Sequence, residues 1–188
     1  MDSQIQVLPK PDWVSWDTIH DVIWKAHEVN RNKGIVMRYP SLTGEEIRER
    51  IEGQGTMFVA ICDGKVVGTA ALKTKKVCLW CGGGEYAYLC FAAVLPEYGG
   101  RGIYRMLYAR VEDETKSKGL DRIMFDSHEG NKKILEIHKR DGFIPVSYRK
   151  YEDHFNIIMV KWLNGCPYSR IMCYLKYHKI KYVRRHTK

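Results

Sequence analysis

Three glycines within four residues, Gly99, Gly100 and Gly102, stand between a strand-like run ending at Val94 and a helical run opening at Arg101. Residues without a Cβ let the backbone come close to a ligand, and a helix start offers unpaired N–H groups and the positive end of the helix dipole. Such an arrangement suits a diphosphate. Arg101 and Arg105 put cations where the dipole favours anions, so an external anion would relieve them. A bare glycine cluster also fits an ordinary tight turn. No Gly-Lys-Ser/Thr follows, so this is not a Walker loop, and the later acid of a dinucleotide fingerprint is missing.

A second block keeps a fixed spacing: Asn131-x-x-Ile134-x-x-x-His138-x-x-x-Gly142-Phe143. Together with Val94-x-Pro96-x-Tyr98 and Gly102, it resembles the GNAT superfamily of acyltransferases. That family's acetyl-coenzyme A motif reads approximately Val-x-Pro-x-Tyr-(Arg/Gln)-x-x-Gly-x-(Gly/Ala), and its later block approximately Asn-x-x-Ala-x-x-x-Tyr-x-x-x-Gly-Phe. Gly99 stands where the family usually has Arg or Gln, and Tyr104 where it has a small residue. As an order of elements the resemblance covers residues 15 to 163.

The resemblance implies acetyl transfer from acetyl-CoA to an amine, without a metal. The backbone of Ala92, Ala93 and Val94 is expected to hold the pantetheine arm, the turn of Gly99, Gly100, Arg101, Gly102, Ile103 and Tyr104 the diphosphate, and Asn131 the pantetheine or the substrate side. Transfer needs a deprotonated amine, a polarised thioester carbonyl and a protonated thiolate. The Val94 N–H is the candidate for the second task and His138 for the third, while Glu85, Tyr88 and Cys90 on the strand, or His128 and Glu129 after the next strand, are candidates for the base. The acceptor is expected between residues 30–41 and 151–154, where Arg31, Lys33, Arg38, Tyr39, Glu152, Asp153 and His154 suit a small polar amine such as an amino sugar, a polyamine or an amino-acid amine.

The elements that must carry these residues are legible from periodicity. Ile19, Val22, Ile23 and Ala26 recur at helical spacing after the cap Ser15 and predict a helix up to Gly34. Thr43 with Glu46 three residues on forms a capping box for a second helix ended by Gly53. Phe58–Ile61, Asp63-Gly64 and Val66–Gly68 read as strand, two-residue turn, strand, followed by a strand over 86–94. A helix over 101–118, a strand over 123–125, a helix over 131–140 and strands over 143–151 and 155–163 complete the order. The expected fold is mixed α/β, a GNAT-like central twisted mixed sheet of about six or seven strands flanked by four helices, with a basic C-terminal helical tail.

One acyltransferase domain over 1–163 and a basic aromatic extension over 164–188 are expected in the 188-residue chain. Net charge is +9, and residues 164–188 hold Arg170, Lys176, Lys179, Lys181, Arg184, Arg185 and Lys188 with no acid, so the body is nearly neutral. That tail makes an anionic partner possible to envisage, and with it a competing class: a non-catalytic acyl-CoA-binding or nucleic-acid-associated module. Cys78 and Cys81 have metal-ligand spacing, but no second pair completes a zinc site. The six cysteines without an export signal point to reduced thiols and a cytoplasmic protein with no membrane span, monomeric or homodimeric.

Overall fold

A computed structural model describes residues 4–35, 41–76 and 84–165. The chain divides into two compact units meeting in sequence at Leu120/Asp121. The first contains β1 (Ile5–Pro9), α1 (Trp16–Ala26), α2 (Glu28–Asn32), α3 (Gly44–Ile51), β2 (Gly55–Cys62), β3 (Lys65–Lys76), β4 (Glu85–Val94) and α4 (Ile103–Ser117). The second contains β5 (Arg122–His128), α5 (Lys132–Arg140), β6 (Ile144–Lys150) and β7 (Phe155–Trp162).

In the first unit β1, β2, β3 and β4 form an antiparallel meander in that order. Cys62 pairs with Lys65 across the two-residue turn, and Asp63 and Gly64 both take positive φ, +49° and +75°, as a primed hairpin turn requires. Val59, Val67, Ala71, Leu72 and Ala87 are 0% exposed on strands whose neighbours are also buried. Such continuous apolar runs mark strands covered on both faces. From the helices, Ile19 and Ile23 of α1, Ile47 and Ile51 of α3, and Ile103, Leu107 and Val111 of α4 complete the core.

α1 and α3 start at the cap residues read from the sequence. Ser15 Oγ accepts from the Thr18 N–H, and Thr43 and Glu46 exchange both bonds of a capping box. The single helix expected over 15–33 is two, because His27 leaves helical geometry at φ −97°, ψ 6° and joins α1 to α2. The helix expected from Arg101 begins at Ile103, since Gly102 takes φ +75° and cannot be its first turn. β1 was not foreseen: its five residues end on a proline and carry too short a pattern to declare a strand.

In the second unit β7 lies between β5 and β6, antiparallel to both. Ile123, Phe125, Leu135, His138, Phe143, Met159 and Val160 are its buried residues of largest consequence. Among the described residues no helix is long and apolar enough to cross a membrane. The Cys78–Cys81 pair, Arg38, Tyr39 and the tail from Cys166 onward lie outside the described residues.

Candidate active site

β3 and β4 run in register from Lys76↔Glu85 to Ala71↔Cys90 and resume at Thr69↔Ala93 and Gly68↔Val94. Phe91 and Ala92 therefore oppose the single residue Ala70, which defines a β-bulge. Phe91 takes φ +52°, a left-handed conformation that costs a non-glycine residue about 1–2 kcal/mol. Its surroundings overcome that cost: the Phe91 side chain is buried, and Thr69 Oγ1 donates to its carbonyl at 2.7 Å. Beyond the bulge, Leu95 N–H donates to the Val67 carbonyl at 2.9 Å. Bonded residues alternate in an antiparallel ladder, so Val94 turns its own N–H and carbonyl away from β3.

The strand then enters a 3-10 turn over Pro96–Tyr98. Tyr98 N–H donates to Leu95 and Gly99 N–H to Pro96, at 3.0 and 2.9 Å, so the Gly99 amide is engaged within the turn. Gly100 and Gly102 have φ +79° and +75°, and a Cβ at either would meet nothing within 4 Å. Backbone conformation, not crowding, calls for glycine there, and the space beside the loop is open. Gly102 is the N-cap of α4, with no side chain to cap the helix amides and no acid in the first turn. The first intrahelical bond runs from Met106 N–H to Gly102, so the amides of Ile103 and Arg105 lack an intrahelical acceptor. Arg101 and Arg105 are exposed, while Tyr104 is half-buried.

A close approach seats this helix. A Cβ on Gly68 would come within 3.1 Å of the Ala93 carbonyl oxygen and Leu107 Cδ1 and 3.2 Å of Ile103 Cγ2. The first turns of α4 thus lie directly on β3 beside the end of β4.

The strand candidates separate by face. Tyr88 pairs with Lys73 and Cys90 with Ala71, whereas Glu85 pairs with Lys76. With a period of two, Tyr88 and Cys90 share one face and Glu85 has the other. Glu85 is also exposed at the strand start, nine residues and roughly 30 Å of extended chain before Val94. Tyr88 is buried, with the Lys75 ammonium 3.7 Å from its ring centroid.

In the second unit Asn131 is the N-cap of α5, and its side chain makes no capping bond. His138 is 1% exposed, its ring 3.8 Å from that of Phe125 and 4.7 Å from that of Phe143. Burial lowers its pKa to about 3, so at neutral pH roughly one ring in ten thousand is an imidazolium. The setting gives His138 a packing role and leaves it no ready proton for a thiolate. His128 Nδ1 accepts from Gly130 N–H at 2.9 Å, which puts the proton of the neutral ring on Nε2, and burial beside His154 lowers its pKa. It is a donor in this tautomer.

Around His128, Asp153 and His154, which the sequence named, the sheet gathers further polar groups that it did not name. Asp126 accepts from Arg149 at 3.3 Å and from Asn156 at 2.9 Å. His154 stacks on His128 at 4.5 Å and on Tyr151 at 4.7 Å, and its Nδ1 lies 2.6 Å from Asp153. Lys150 to His154 line an open depression at this hairpin tip.

A bulged strand that runs through a glycine-rich turn into an uncapped helix, on a mixed α/β scaffold, fits a coenzyme A-dependent acyltransferase. The acetyltransferase (GNAT) family matches residues 16–143, and the chain belongs to it. It is an N-acetyltransferase by family, and the family's acyl donor is acetyl-CoA. Solved structures with the same fold include the ribosomal-protein-S18-alanine N-acetyltransferase of Escherichia coli, at 16% identity and TM-score 0.65 over 88% of this chain and 98% of that one. An acetyltransferase from Streptococcus agalactiae matches at 20% identity and TM-score 0.65, covering 85% and 98%. A GNAT family acetyltransferase from Elizabethkingia anophelis with acetyl-CoA bound matches at 16% and 0.64, covering 87% and 100%. No curated protein matches the sequence.

Proposed function

We propose that the protein moves the acetyl group of acetyl-CoA directly to the amine of a small polar acceptor, with the carrier lying along the end of β4 and its diphosphate on the turn at 100–105. The observation that carries this reading is the uncapped, acid-free start of the fifteen-residue α4 behind two glycines of positive φ with open space beside them. Gly100, Arg101, Gly102, Ile103 and Tyr104 contribute backbone to the diphosphate, and Arg101 and Arg105 add charge. Gly99 serves the turn instead, its amide being engaged by Pro96. Ala92, Ala93 and Val94 meet the pantetheine, and the outward Val94 N–H polarises the thioester carbonyl.

Tyr88 is the strand residue we assign to the amine's proton, relayed through water, because it shares the Cys90 face and Glu85 does not. The departing thiolate takes its proton from solvent or from the amine itself, since His138 is held neutral. Asn131 stays assigned to the pantetheine or substrate side on its motif. Asp126, Asp153 and the histidine pair supply carboxylates and ring nitrogens suited to an ammonium or hydroxyl-bearing acceptor.

Thiol release from acetyl-CoA in the presence of a panel of amino sugars, polyamines and amino acids tests this. Acceptor-dependent release is expected. Tight carrier binding with no release above the amine-free rate for any acceptor would favour the carrier-binding, non-catalytic reading.

A further inference from the structure

Thr69 is a 0% exposed residue of β3 and belongs to neither of the motifs read from the sequence. A hydroxyl that meets no water must find its partner inside the protein. Thr69 finds it 22 residues on, where its Oγ1 donates to the Phe91 carbonyl at 2.7 Å. Yet the residue opposite Thr69 in the sheet is Ala93, not Phe91. The side chain therefore reaches back past Ala92 to the first residue of the β4 bulge.

The main chain of Thr69 works on the other side of the insertion. Leu95 N–H bonds the Val67 carbonyl, and bonded residues alternate, so Thr69 and Ala93 form the next bonded pair of the ladder. Thr69 thus grips β4 twice, by its backbone after the bulge and by its hydroxyl before it. Phe91 occupies the left-handed position that one type of bulge gives to glycine, and a residue with a Cβ persists there when its surroundings over-determine it. Burial of the Phe91 side chain and the bond from Thr69 supply that constraint. With the donor removed, a buried carbonyl is left to turn toward another partner, and the peptides after it turn with it. Those peptides, through Ala93 and Val94, are the ones assigned above to the carrier.

We infer that Thr69 is a positioning residue for the carrier: its hydroxyl locks the β4 bulge and so sets the orientation of the peptides from Ala92 to Val94 that receive the pantetheine and thioester. This rests on the carrier reading of the preceding subsection. The neighbouring residue has the complementary task, since Gly68 leaves room for the first turns of α4, where the diphosphate is assigned. Two consecutive residues of β3 thereby shape the two halves of one site, and a ligand that meets one half alone tells them apart.

Two replacements separate positioning from packing. Thr69→Val keeps the branched shape and loses the donor, while Thr69→Ser keeps the donor and loses a methyl group. Calorimetric titration uses coenzyme A and adenosine 3′-phosphate 5′-diphosphate, a fragment that carries the diphosphate and has no pantetheine to meet the strand. One hydrogen bond is worth about a tenfold shift between locked and unlocked bulge, and a site competent in about a tenth of the molecules binds about tenfold more weakly. Thr69→Val is expected to bind coenzyme A about tenfold more weakly and the fragment as the wild type does. Thr69→Ser is expected to bind coenzyme A within about threefold of the wild type.

A merely structural Thr69 would lower the melting temperature in both variants without separating the two ligands or the two replacements, and that result would overturn the inference. If Thr69→Val does not fold, Thr69→Cys, whose thiol is a weak donor, is read on the same pair of ligands with the same direction of split expected. Wild type that binds the fragment and coenzyme A equally well contradicts the strand assignment, and with it the inference, while leaving the diphosphate site in place. Wild type that binds neither contradicts the carrier reading itself.

Discussion

At the scale of single residues, chemistry and position part company at His138. The family pattern places a proton donor there, and the histidine keeps the spacing, yet Phe125 and Phe143 enclose the ring and burial brings its pKa to about 3. A group that gives up its proton three or more units below neutrality does no acid catalysis near pH 7. His138→Leu is expected to lower the melting temperature and to reduce kcat less than about tenfold, where a true general acid would cost 10²–10⁴. A steady-state assay on folded variant decides. The motif was legible in the sequence, Phe143 included; the aromatic enclosure was not, because Phe125 reaches His138 from β5, outside the motif.

Among the elements, those that could be read best were the ones whose signals are local. The capping box at Thr43, the Asp63-Gly64 turn and the amphipathic α4 each rest on contacts within a few residues. β3 was read as a short strand over 66–68 and extends to Lys76, because its polar half, Lys73 to Lys76, is held by pairing with β4 and not by hydrophobic alternation. This difference gives a contrast between two replacements of similar cost. Thr43→Ala removes a capping bond worth about 1 kcal/mol. Gly68→Ala forces a methyl against the Ala93 carbonyl, Leu107 and Ile103 at 3.1–3.2 Å, an overpacking cost of about 1–3 kcal/mol. Both are expected to lower the urea midpoint. Gly68→Ala alone is expected to weaken coenzyme A binding, since it lifts the start of α4 from β3, and equal affinities in the two variants would contradict that seating.

For the whole molecule, the family match and the shared fold at identities of 16–20% show a scaffold kept through wide sequence change. Two neutral buried histidines impose a pH limit on this scaffold. His27 and His138 have native pKa values of about 4 and about 3, below the value of about 6.5 for an exposed ring. Between those values the unfolded chain binds more protons than the native one, so the stability they confer is complete above about pH 6.5 and declines as the pH falls toward 4 and 3. At about pH 5 each is expected to account for a loss on the order of 2 kcal/mol relative to pH 7.5, read as a fall in the urea midpoint, and His138→Leu is expected to flatten its share. A midpoint that does not move between these pH values would contradict the neutral burial of both rings.

The most direct test of the account is calorimetric titration of coenzyme A into the wild type and into Gly102→Val. Valine at φ +75° disfavours the cap conformation while its Cβ meets open space, so the fold is expected to persist with a modestly lower melting temperature. Saturable binding to the wild type, weakened at least about tenfold in the folded variant, is the expected result. No heat with the wild type, or equal affinity in both proteins, would contradict the assignment of the diphosphate to the start of α4.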